Sequence, residues 1–210
     1  MKFKMKVLCC IFLLIALQQS NAQKIVQKTI FNTADTAIEI DASKCYAVFV
    51  KTTKTNKVIV EAKMAGEYSD KLILNMHEEG TTLLIDTGFN LNFEAPNDKL
   101  SAHKVVSISL HISLPEHLKV RLFGGSSNVN ISGFYSNLEV SLNDGNCVLN
   151  NTGLDTSVKT QSGTITLYAK AGKVRAATKY GKLESEDIPL GNKVYDLKSV
   201  TGNIHLKKIN

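Results

Sequence analysis

Histidines and carboxylates are the side chains here with the widest chemical range. The five histidines are His77, His103, His111, His117 and His205. None forms a His-x-x-x-His pair, and the cysteines form no Cys-x-x-Cys pair, the spacings that hold a metal. Polysaccharide cleavage needs two carboxylates, one acting as acid and the other as base or nucleophile. From Asp144 onward the acids are Asp144, Asp155, Glu184, Glu186, Asp187 and Asp196. No two of them occupy equivalent positions in neighbouring repeats of the chain, where a stacked site would show. Asp144 suits the turn before Gly145, and Glu186-Asp187 reads as a solvated pair. Nothing resembles a nucleophile elbow, a phosphate-cradling loop or a calcium-binding aspartate repeat. No catalytic, cofactor-binding or metal residue is assigned, and no binding residue is singled out.

The elements that would position any site are easier to read. A strand–glycine–strand phrase recurs five times between Leu118 and Leu206. With Ser127, Gly145, Gly163, Gly181 and Gly202 in register, the spacing is 18, 18, 18 and 21 residues. Two residues after each marker stands Val129, Cys147, Ile165, Leu183 or Ile204, and four after stands Ile131, Leu149, Leu167, Ser185 or Leu206. Five before stands Leu122, Val140, Val158, Ala176 or Leu197. A fixed period with apolar residues at fixed offsets marks a repeat array whose rungs must stack to bury their faces. Between the inward positions lie Ser, Thr, Asn, Lys and Glu. Glycine at each corner is expected from its access to positive φ. The pattern fits a parallel β-solenoid, one phrase per coil, or an antiparallel meander with each glycine in a hairpin turn. The constant spacing favours coils.

Upstream, residues 24–31, 37–50 and 58–62 are rich in β-branched and aromatic side chains. Lys71–Met76 is expected to pair with Thr81–Ile85 across His77–Gly80. Residues 86–104 form the longest loop, with a turn at Pro96. Val106, Ile108, Leu110, Ile112 and Leu114 then alternate strictly with Ser107, Ser109, His111 and Ser113, so His111 faces outward. No helical period persists after residue 22. The domain reading is a signal segment at 1–22, an irregular β-rich part at 23–117, and the array at 118–210, continuous with it.

Residues 1–22 read as a cleaved secretory signal: basic MKFKMK, an apolar run, then Ser20 and Ala22 at the cleavage site. The run of about eleven residues falls short of the ~20 that a spanning helix needs, so no transmembrane segment is expected in the mature chain. Removing Lys2, Lys4 and Lys6 lowers the net charge from +6 to +3. No clustered basic stripe remains, which excludes a nucleic-acid partner. Cys45 and Cys147 are left, and they are expected to be unbridged, with Cys147 buried at an inward position.

The phrases LPEHLKVRL, VKTQSGTITL and LKSVTGNIHL resemble the β-strand repeats of the putative-adhesin family of exported bacterial proteins, over about residues 105–207. The resemblance implies a right-handed parallel β-helix or roll and names no catalytic residue. Ser127, Ser185 and the long corner at 186–193 depart from the family pattern. The whole reading is an all-β, secreted or periplasmic, non-enzymatic adhesin-like module of the bacterial cell envelope. Its partner is a cell-surface glycan or an envelope protein, and its oligomeric state is open. A carbohydrate-active enzyme on a β-helix is the alternative.

Overall fold

Alternating inward and outward side chains give each strand one apolar face. In a computed structural model that describes residues 23–31, 37–90, 92–93 and 106–209, those faces meet in one core between two sheets. The expected signal segment, His103 and the Pro96 turn lie outside the described residues. In spatial order the nine-stranded sheet holds β1 (Gln23–Phe31), β4 (Lys57–Gly66), β7 (Val106–Pro115), β3 (Ala47–Thr53), β9 (Asn128–Ser132), β11 (Cys147–Asn150), β13 (Ile165–Ala169), β17 (Ile204–Lys208) and β15 (Leu183–Ser185). The eight-stranded sheet holds β14 (Lys173–Thr178), β16 (Val194–Ser199), β12 (Asp155–Thr160), β10 (Asn137–Leu142), β8 (Lys119–Gly124), β2 (Ala37–Asp41), β6 (Thr82–Phe89) and β5 (Leu72–Glu79). Among the described residues the helical content is a single 3-10 turn at Ser69–Lys71.

Each phrase of the array supplies one strand to each sheet, and all its neighbours run parallel. Leu122 lies beside Val140, Val140 beside Val158, and Val158 beside Leu197. On the other sheet Ile131, Leu149, Leu167 and Leu206 form the matching row. The meander pairing is therefore not adopted by the array. Val158, Ile165 and Leu167 are fully buried, while Lys159, Thr164 and Thr166 face out. A purely parallel arrangement fails upstream, where β1–β4, β4–β7 and β5–β6 pair antiparallel, so both sheets are mixed. Between β5 and β6 the reversal is a short connection within the sheet, Gly80-Thr81. That hairpin was expected, but its turn is tighter and its register differs, with Glu79 opposite Thr82.

A further rung precedes the array. Ile38 and Ile40 of β2 lie beside Val120 and Leu122, and Val48 and Val50 of β3 beside Val129 and Ile131. Its corner, residues 42–46, faces Ser127 rather than a glycine. The buried Ser127 hydroxyl lies 2.7 Å from the Ala42 carbonyl oxygen and 2.6 Å from that of Cys45, a donation shared between them.

Stacking order departs from chain order. The last rung, β16–β17, lies between β12–β13 and β14–β15. Upstream, β6–β7 likewise separates β2–β3 from β4–β5. The fourth phrase is thus the end rung, covered on one side only. This explains its departures: Ala176 is half-buried, Ser185 is exposed, and Leu183 is 48% exposed.

The glycine corners stack for a different reason from the expected one. Positive φ occurs at Gly66, Gly80 and Gly133, not at the array markers. A Cβ on Gly163 would instead overlap the carbonyl of Gly145, one on Gly145 that of Ser127, one on Gly202 that of Gly163, and one on Gly181 that of Gly202. Three residues before the later markers stands a hydroxyl that stitches the corner. Thr160 donates to the Gly163 carbonyl at 2.7 Å, Ser199 accepts the Gly202 N–H at 2.9 Å, and Thr178 accepts the Gly181 N–H at 3.1 Å. Asparagines after the markers bridge rungs in stacking order: Asn146 Oδ1 accepts the Thr164 N–H at 2.9 Å and Asn203 Oδ1 the Lys182 N–H at 2.8 Å. Cys45 and Cys147 are free and buried.

Candidate functional site

The outward residues of the nine-stranded sheet line up across strands because neighbouring strands are held in register. One such row runs Gln27, Glu61, His111, Phe49, Asn130, Val148, Thr166, His205 and Glu184. The row beside it runs Thr29, Ile59, Ser113, Lys51, Ser132, Asn150, Tyr168 and Lys207. Where β1, β4, β7, β3 and β9 meet, these two rows wall a groove of about 520 Å³. Its outward lining is Gln27, Ile59, Glu61, His111, Ser113, Phe49, Lys51, Asn130 and Ser132.

At the centre stands an aromatic pair. Phe49 and His111 are register partners, and their rings stack with centroids 4.7 Å apart and planes 14° from parallel. Phe49 keeps 43% of its surface exposed although its neighbours Val48 and Val50 are buried. Strand alternation holds it outward, so the apolar ring is presented to solvent rather than to the core. The polar groups around it differ in how far they are satisfied. Glu61 sits 3.4 Å from the Lys63 ammonium. Asn130 Oδ1 accepts the Asn150 amide at 2.9 Å, which leaves the Asn130 amino group without a partner among the described residues. Lys51 has no carboxylate partner among the described residues, unlike Lys63, Lys71 and Lys198.

Among the described residues the groove contains one carboxylate, Glu61. The acids considered from sequence lie elsewhere, and four of the six have local partners. Asp144 accepts the Ser162 hydroxyl at 2.6 Å, Glu184 lies 2.8 Å from His205 Nδ1, Glu186 accepts the Lys208 N–H at 2.8 Å, and Asp196 pairs with Lys198 at 2.9 Å. Among the described histidines, His77 lies 3.5 Å from Glu79, His117 occupies a turn at φ 66°, and His111 alone enters the groove. Among the described residues no group of three or more His, Cys, Asp or Glu could hold a metal ion, and no helix is long and apolar enough to cross a membrane. A smaller depression of about 410 Å³ lies at the end rung, between Val174, Leu206 and the 186–190 corner, with no aromatic wall among the described residues.

The architecture has a solved counterpart. A putative cell adhesion protein from Clostridium sporogenes ATCC 15579 matches over 89% of this chain and 100% of its own, with a TM-score of 0.62 and 12% identity. That likeness is one of fold. A putative adhesin from Bacteroides fragilis NCTC 9343 aligns over 89% of this chain and 97% of its own at 11% identity, with a TM-score of 0.32 that carries no further argument. No family model and no curated relative matches the chain.

The groove was not legible from sequence. His111 read as a surface histidine, and Phe49 sat unmarked in an irregular stretch. The signal that was present is the outward phase of Phe49 between Val48 and Val50, an aromatic ring on the solvent side of a buried strand.

Proposed function

We propose that this chain is an exported, adhesin-like binding module of the bacterial cell envelope, without catalysis of its own. In this reading the array is a flattened parallel β-solenoid of the putative-adhesin type. The part at 23–117 caps and continues it, and residues 1–22 are removed on export. The observation that carries the proposal is the groove around Phe49 and His111, an exposed aromatic platform flanked by amides and hydroxyls on a wide sheet face. Aromatic anchors of this kind dominate binding surfaces, where truncating one typically costs about 2 kcal/mol or more, some thirty-fold in affinity. The name of the Clostridium sporogenes counterpart supports an adhesive role and an address outside the cytoplasm. Hydrolysis by an acid–base pair needs a second carboxylate, and among the described residues of the groove Glu61 is alone.

The test is a capture screen of the purified protein against glycans and cell-envelope extracts, run beside Phe49→Ala. Specific capture that falls about thirty-fold in the variant supports the module. Capture indifferent to Phe49, or shortening of a captured glycan with time, overturns it.

A further inference from the structure

We propose that the groove takes a carboxylate-bearing sugar unit of an acidic glycan, with the ring against Phe49 and the carboxylate on Lys51. This rests on the binding-module reading and names the ligand class of its site.

The sheet decides first against a peptide strand. Extended peptides bind a sheet by adding to an edge, where free backbone N–H and C=O groups supply the affinity. The groove lies on the sheet face over β4, β7, β3 and β9, each paired on both sides, so their backbone groups are spent on one another, and the edge strand β1 contributes only Gln27. Recognition there falls to side chains alone. Those side chains are one aromatic pair and one aliphatic residue, Ile59, amid Gln27, Ser113, Asn130 and Ser132. This matches the two-sided chemistry of a pyranose, an apolar C–H face bounded by hydroxyls that both donate and accept hydrogen bonds.

Charge then selects among sugars. Glu61 is neutralised by Lys63 at 3.4 Å, whereas Lys51, one strand step from both Ser113 and Ser132, has no anionic partner among the described residues. Among the described residues the groove therefore carries one uncompensated ammonium beside its platform. A single cation is too few for a nucleic acid, whose binding rests on several phosphate contacts. It suits one carboxylate per sugar unit, reached while the ring lies on Phe49. The rows continue past the groove through Thr166, Asn150 and Tyr168, so a chain of sugars has polar groups to follow across the strands.

The experiment is titration calorimetry of the purified protein with a panel of uronic- and sialic-acid oligosaccharides, each paired with its carboxyl-reduced, neutral counterpart. Expected is binding to at least one acidic member, weakened tenfold or more by reduction of its carboxyl group and by Lys51→Gln. Phe49→Ala abolishes it while the chain still unfolds cooperatively, and Lys198→Gln, on the other sheet, leaves it within twofold. Equal affinity for the reduced oligosaccharide, or full binding by Lys51→Gln, overturns the inference. Capture of an envelope protein with no binding across the sugar panel also overturns it, yet leaves the binding module standing. Failure to capture anything in either assay removes both.

Discussion

Replacing Gly163 by alanine tests whether the corners of the array are in contact or merely turn sharply. The added Cβ would overlap the Gly145 carbonyl oxygen, a backbone atom with no rotamer to escape into. Relief requires the 155–169 rung to lift away from the 137–150 rung at this corner. Four backbone N–H groups donate across it: Ser162 and Gln161 N–H to the Asn143 carbonyl at 2.9 and 3.0 Å, Thr164 N–H to Asn146 Oδ1 at 2.9 Å, and Cys147 N–H to the Thr164 carbonyl at 2.9 Å. A net hydrogen bond contributes about 0.5–1.5 kcal/mol, and a buried group left unpaired costs about 1–3. Loosening one exposed bond and leaving the buried Cys147 N–H unpaired gives an expected loss of about 1.5–4.5 kcal/mol. Gly80→Ala is the internal control, because Gly80 has φ +60° and no atom within 4 Å of the added carbon. Only left-handed strain acts there, worth about 1–2 kcal/mol. Urea melts of the two variants and the parent, analysed at a common slope, give both losses. If Gly163→Ala costs no more than Gly80→Ala, the close-approach account of the corner is wrong.

The inward register is tested in the same rung, where Ile165→Ala should lose about 2–5 kcal/mol by emptying a packed site and Thr166→Ala no more than about 0.5 kcal/mol; equal losses in denaturant melts would shift the register by one residue. Alkaline stability tests the thiols. Burial pushes Cys147 up to about 12 and Cys45 up to about 11 from the ordinary 9.0, the latter partly offset by its bond to Thr87. Because the folded values are raised, the unfolded chain sheds these protons first. The stability the thiols contribute is then whole below pH 9 and declines as pH rises toward 11–12, by up to about 1.4 kcal/mol per unit for each thiol. Unfolding midpoints measured from pH 8 to 10.5 should fall less steeply in Cys147→Ala, and an identical slope would refute the burial argument.

Much of the array was legible because its signal is local and repeated. Val158, Ile165 and Leu167 stand at offsets shared with the other rungs, and alternation alone assigns them inward. The order of stacking was not legible, since Leu197 fits beside Val158 as well as Ala176 does and an inward aliphatic residue carries no address. The small and polar inward set of the fourth phrase, Ala176 and Ser185, was the trace of its end position. The β2–β3 rung was hidden by a longer corner without glycine, and Ser127 was its complement, a hydroxyl where that corner offers two carbonyls. The groove escaped because it joins Phe49, Glu61 and His111 from three strands, one of them antiparallel, with no common spacing. Its existence depends on register between distant segments, which no short window contains.

The interleaved last rung also bears on how such a chain could change length through duplication. A unit copied within residues 137–172 would enter the interior of the ladder, where each new rung offers the same two pairing edges as the one it displaces. A unit joined after β17 would emerge beside strands already paired on both sides, while the open edges belong to β14 and β15 of an earlier segment. Lineages of this architecture should therefore vary in the number of middle rungs and keep the final two as an inseparable pair, inherited or lost together.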